Sequence, residues 1–193
     1  MSFCCIPERK RAAARFFVPG GEMENMGIFT PSALKERVTD ISPELLREMG
    51  VRALLLDVDN TIAPYSSRVP AAGAEEWAKS LCRQGFRVVI VSNNYKKRVG
   101  RFAAGLGLDF ISFALKPLPA GYIRAARRLK TPLRECAVIG DQIFTDILGA
   151  NLCGMRSVLL SPIEPEEGLS FRLRRYFERG LREKIAKRKD VLK

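Results

Sequence analysis

Histidine is missing from all 193 residues, which excludes Ser-His-Asp and Cys-His catalysis, His-ligated zinc and any histidine pH switch. Cysteine is scarce: five residues, odd in number and without a Cys-x-x-Cys spacing. Neither a disulfide partner nor a thiolate zinc site is expected, and a reducing cytoplasm is the simplest compartment. No run approaches the roughly 20 apolar residues that span a bilayer, and the N-terminus lacks the apolar stretch of a secretory signal. A soluble protein, or one lying on a membrane surface, is expected. Acidic residues are outnumbered, 21 Asp and Glu against 33 Lys and Arg, for a net charge of +12. That surplus points to an anionic partner: nucleic acid, phosphate or acidic lipid. With 47% hydrophobic residues the chain can bury a continuous core, and its length suits one domain.

Residues 1–27 mix Cys4, Cys5, four basic residues (Arg9, Lys10, Arg11, Arg15) and Pro19-Gly20-Gly21 without a sustained period, and read as a partly flexible extension. Ser42-Pro43-Glu44 before Leu45, Leu46 and Met49, closed by Gly50, describes a short capped helix. Five apolar runs follow: Arg52–Asp57, Phe86–Val91, Asp109–Phe113, Glu135–Ile139 and Met155–Leu160. They have the character of strands buried on both faces. Helical stretches lie between them near 71–84, 96–106, 119–129 and 143–153. The alternation predicts an α/β fold, a parallel sheet of about five strands with helices on both faces, over a core spanning 28–165.

In such a sheet ligands bind beyond the carboxyl ends of the strands. The first run ends in Asp57-Val58-Asp59-Asn60-Thr61, the second in Ser92-Asn93-Asn94, the third is followed by Lys116-Pro117, and the fourth by Gly140-Asp141-Gln142 with Asp146 five residues on. Acidic side chains, a serine and a lysine on one rim suit a divalent cation and a phosphate, because carboxylates so placed repel until a hard cation relieves them.

The ordered set DVDNT, SNN, KP and GDQIFTD resembles the four motifs of the haloacid dehalogenase (HAD) phosphatases, over about Ser42 to Leu160. The resemblance implies a Rossmann-like fold and Mg²⁺ as cofactor. It makes Asp57 the nucleophile and Asp59 the general acid and base, its backbone carbonyl also facing the metal. Ser92 and Lys116 become the remaining catalytic residues, and Asn60, Thr61, Asn93 and Asn94 contact substrate phosphate. Asp57, Asp59 and Asp141 hold the metal, with Asp146 supporting them from outside.

The intervals between these motifs, 35, 24 and 25 residues, each hold one helix and one strand. None has room for the cap domain common among HAD enzymes of small metabolites. An open site excludes water poorly, which favours a macromolecular or lipid phosphate, with closure by substrate, partner or membrane. From Leu169 onward ten basic and three acidic residues concentrate about +7 of the charge. There Leu173, Phe177, Leu181 and Ile185 recur every four positions, so 166–193 reads as a basic amphipathic helix. Packing on the domain and binding at an anionic membrane surface remain alternatives for it. No nucleic-acid motif accompanies the charge. The entry segment before DVDNT, together with SNN, ALKP, GDQIFTDILGAN and the basic end, is similar to the YqeG-type HAD IIIA phosphatases, a group similar to the phosphatidylglycerophosphate phosphatases. This implies a phosphomonoesterase with phosphatidylglycerophosphate as favoured substrate, cytoplasmic and peripheral at the membrane. A soluble phosphatase for a sugar, nucleotide or phosphoprotein, and an RNA- or ribosome-binding protein, are the alternatives.

Overall fold

A computed structural model describes residues 27–67, 69–165, 169–187 and 191–192, with the helical backbone alone for 169–175. The expected N-terminal extension therefore lies outside the described residues, Gly27 excepted. Strands β1 (Ala33–Lys35), β2 (Ala53–Leu56), β3 (Arg87–Val91), β4 (Asp109–Ile111), β5 (Cys136–Gly140) and β6 (Arg156–Leu160) form one parallel sheet in the order β1-β6-β5-β2-β3-β4. The helices are α1 (Pro43–Glu48), α2 (Ala74–Arg83), α3 (Lys96–Leu106), α4 (Pro119–Arg128), α5 (Leu148–Leu152) and α6 (Leu169–Ala186). Only one helix and one strand separate successive site motifs among the described residues, so no cap domain interrupts the core.

Strand β2 lies at the centre and is buried throughout, which explains why its sequence is an unbroken apolar run. Its side chains alternate between two cores. Leu54 and Leu56 pack with Leu46, Leu81, Ile90 and Val99. Ala53 and Leu55 face the opposite way, toward Val89, Tyr122, Ala125 and Val138. Each fully buried leucine contributes about 2 kcal/mol relative to an exposed one. At the start of α1 the hydroxyl of Ser42 accepts a hydrogen bond from the Leu45 N–H at 3.2 Å, the cap its sequence predicts.

Two features differ from the sequence expectation. The sixth strand, β1, is three residues long, too short to show a period. It is held by β6 on one side and by Leu192 on the other, where the Leu34 N–H donates to the Leu192 carbonyl at 2.7 Å. The far end of the chain thus covers the sheet edge. The helix expected over 143–153 opens as a π-helical turn, Ile143–Ile147, before α5. There the Ile147 N–H reaches back to the Gln142 carbonyl at 3.3 Å, and this wider turn holds Asp146 against the end of β5.

Candidate active site

Strand order reverses between β2 and β5, since the chain runs from β2 outward through β3 and β4 before returning to β5 on the other side. The carboxyl ends of these two strands form the crevice where such sheets bind ligands. Asp57 follows β2 and Asp141 follows β5, and both are buried. Lys116 arrives from the loop after β4. Asn93 clamps its main chain, with Oδ1 accepting from the Lys116 N–H at 2.7 Å and Nδ2 donating to the Lys116 carbonyl at 3.1 Å. So held, the Lys116 ammonium donates to Asp57 Oδ1 at 2.5 Å and Asp146 Oδ1 at 2.7 Å.

Carboxylate oxygens of Asp57, Asp141 and Asp146 lie within 4.8 Å of one another. Asp146 approaches because Gly140 has no side chain; a Cβ there would meet the Asp146 carboxyl carbon at 2.3 Å. The second oxygen of Asp146 accepts from the Gln142 N–H at 3.2 Å. Burial, against the pull of Lys116 and reinforced by Asp146 and Asp141, pushes the Asp57 carboxyl up to about 8. Burial works to lower Lys116, but Asp146 and Asp57 outweigh it and hold the ammonium charged, above its ordinary range. Three buried carboxyl groups thus share one ammonium. An all-oxygen donor set of this kind fits a hard divalent cation. Asp146, expected outside the metal's shell, sits in the same cluster as Asp57 and Asp141.

Asp59 stands apart from that cluster. Its Oδ1 accepts from Arg98 at 2.6 Å and its Oδ2 from Asn94 Nδ2 at 2.5 Å. Ser92 is buried at the end of β3, its hydroxyl accepting from the Asn94 N–H at 3.1 Å. Asn60 takes a left-handed conformation, φ 59°, and its Oδ1 accepts from the Glu164 N–H at 3.2 Å. The Asn60 amide nitrogen and the Thr61 hydroxyl are buried with no hydrogen-bond partner among the described residues. Of the residues read from sequence as phosphate contacts, Asn93 spends its amide on the Lys116 main chain and Asn94 on Asp59. Beside Asp59 opens a cavity of about 270 Å³, walled by Ser92, Tyr95, Lys97, Arg98 and Arg101.

Residues 18–154 match the family model described as haloacid dehalogenase-like hydrolase. The chain belongs to this family. A relative from Bacillus subtilis (strain 168), the probable phosphatase YqeG, is 35% identical over 153 residues, covering 79% of this chain and 89% of its own. The phosphatase class expected from the motifs is thereby borne out. Weaker similarity, 24% over 148 residues, links it to the chloroplastic phosphatidylglycerophosphate phosphatase 1 of Chlamydomonas reinhardtii, covering 72% of this chain and 55% of that protein. Among solved structures NagD from E. coli K-12 superposes with a TM-score of 0.51 at 12% identity, over 59% of this chain and 89% of its own; this likeness concerns the fold alone.

In this haloacid dehalogenase-like hydrolase the basic C-terminal helix reaches the site. Glu178, fully buried, accepts from the Ile143 N–H at 2.9 Å. Arg182 donates to the Leu160 carbonyl at 3.0 Å and to the carbonyl of Asp141 itself. Ile185 is buried with Ile143, Ile147 and Leu159, whereas Phe177 is 59% exposed beside Tyr176. The expected apolar stripe is therefore split between core and surface, and the turn that meets the Asp141 loop presents a carboxylate. Arg98, Tyr122, Glu178 and Arg182 escape sequence reading because each acts from within a helix and none from the loop that directly follows a strand. Tyr122 packs against Gly149 and donates to the Thr145 carbonyl at 2.8 Å, supporting the turn that carries Asp146. Among the described residues no helix is long and apolar enough to cross a membrane.

Proposed function

We propose that this hydrolase is a Mg²⁺-dependent phosphomonoesterase working through an aspartyl-phosphate on Asp57, with phosphatidylglycerophosphate as its favoured substrate. The observation that carries this reading is the buried cluster of Asp57, Asp141 and Asp146 around Lys116, at the carboxyl end of the central strand. Asp57 and Asp141, with the backbone carbonyl of Asp59, would hold the cation, and Asp146, beside them and bonded to Lys116, would support that set; the cation when bound screens the nucleophile from the anionic substrate and polarises the phosphoryl group.

An oxygen of Asp57 attacks phosphorus in line while the bond to the leaving alcohol breaks. Asp59, two residues on, gives that alcohol a proton. It then removes one from the water that attacks phosphorus, releasing inorganic phosphate and restoring Asp57. Lys116 neutralises charge on Asp57 and the transferring group through the whole sequence, and Ser92 offers its hydroxyl to a phosphoryl oxygen. Asn93 serves by fixing the Lys116 main chain.

The lipid substrate is supported by similarity to the algal enzyme, by the capless rim, and by α6, which exposes Tyr176 and Phe177 among arginines and lysines. Purified protein with Mg²⁺ should release phosphate from phosphatidylglycerophosphate in vesicles faster than from sugar phosphates, nucleotides or a phosphopeptide. Preference for one of those soluble esters would replace the lipid substrate while keeping the chemistry. Inertness towards all of them would overturn the phosphatase.

A further inference from the structure

Both oxygens of Asp59 are already occupied, one by Arg98 and one by Asn94. Contacts on both sides fix the orientation of this carboxyl group, and turning it to the oxygen of a leaving alcohol requires one of them to open. Of the two partners, Arg98 is the one able to move. It is a long side chain 29% exposed, anchored further, among the described residues, by the Tyr65 carbonyl at 3.1 Å and the Tyr65 ring at 5.8 Å. It also lines the cavity beside Asp59, whose walls carry Lys97 and Arg101 as well. Among the described residues that cavity thus has three cations and one carboxylate, a surplus that attracts a second anion, and guanidinium is the side chain best shaped to fork onto a phosphate.

We infer that Arg98 reads a second anionic group, a phosphodiester or phosphate on the leaving side of the substrate, and in turning to it releases Asp59 for proton transfer. The inference rests on the phosphatase reading above and names the substrate class of the same site: phosphomonoesters whose leaving alcohol carries its own phosphate. A neutral leaving group fills the cavity without drawing Arg98 away, so Asp59 stays latched. The contact is thus a specificity device acting on turnover as well as on binding.

The test compares three esters with Mg²⁺ in the wild type, Arg98→Gln and Arg98→Lys. They are p-nitrophenyl phosphate, whose leaving group needs no proton, glycerol 3-phosphate, and the water-soluble glycerophosphoglycerol phosphate, which adds a phosphodiester to the same phosphoglycerol end. The wild type should favour the last over glycerol 3-phosphate by about tenfold or more in kcat/KM, the scale of one charge-assisted contact, with part of the gain in kcat. Arg98→Gln should shrink that preference to about threefold or less and raise kcat on glycerol 3-phosphate. Arg98→Lys, which keeps the charge and the fold but loses the fork, should fall between. Hydrolysis of p-nitrophenyl phosphate with no preference between the other two would overturn this inference alone, as would a preference that survives Arg98→Gln. Failure to hydrolyse any of the three would remove the phosphatase reading and this inference with it.

Discussion

At Asp57 two demands compete: the proposed nucleophile has to be ionised, yet it lies in the core beside two further carboxyl groups. Burial keeps a proton on it in the folded protein across about pH 4 to 8, where the unfolded chain has already lost its own. The contribution of this group to stability therefore falls as pH rises through that window. Asp57→Asn carries no such burden. In EDTA its melting temperature should gain on the wild type between about pH 5 and about pH 8, while turnover is abolished; a constant difference would mean that Asp57 is ionised throughout. Gly140 is the complementary case. The methyl of Gly140→Ala would displace the Asp146 carboxylate, costing about 1–3 kcal/mol in overpacking and roughly tenfold or more in kcat from misplacement of the Lys116 and Asp146 pair. Thermal melts and p-nitrophenyl phosphate kinetics measure the two effects separately.

Among the elements, α6 has the most to add to what its sequence suggests. Its four-residue apolar period invites reading it as one surface, on the domain or on lipid. The chain instead divides it: Glu178, Arg182 and Ile185 turn inward to the Asp141 loop and the end of β6, and Tyr176 and Phe177 turn outward. Glu178→Ala would leave the buried Ile143 N–H without its acceptor, about 1–3 kcal/mol. It should raise the Mg²⁺ concentration needed for half-maximal activity, on p-nitrophenyl phosphate as much as on vesicles. Glu178→Gln, which keeps an acceptor oxygen, should restore most of it. Equal Mg²⁺ requirements in wild type and Glu178→Ala would limit α6 to packing. This dual role was illegible in sequence because Glu178 and Arg182 lie amid many exposed charges, and nothing local separates a carboxylate that meets a backbone N–H from one in water.

For the molecule as a whole, the cation proposed to bind among the three carboxyl groups at the switch point would add to its stability. At Mg²⁺ a hundred times its Kd, stabilisation should be about 2.7 kcal/mol, a rise of several degrees in melting temperature for a domain of this size. Asp141→Asn should lose most of that shift. An unchanged melting curve for the wild type under saturating Mg²⁺ would argue that the carboxylates balance one another without a cation. At the same scale sits the surface charge: vesicles containing anionic lipid should co-sediment the protein and neutral ones should not, with added salt weakening the association.

The linear order of residues by itself determined the layered α/β architecture and the rim on which Asp57, Ser92, Lys116 and Asp141 appear, because buried parallel strands must be apolar along their whole length and each run stops where polar chemistry begins. Only the folded chain decided that Asp146 joins Asp57 and Asp141, that Asn93 braces Lys116, that Arg98 holds Asp59, and that α6 and Leu192 come back to the Asp141 loop and to β1. Asp146 and Asp141 apart, those are contacts between segments separated by about 20 to 160 residues, selected by shape and by the need to pair buried charge, and neither periodicity nor motif spacing records such pairings.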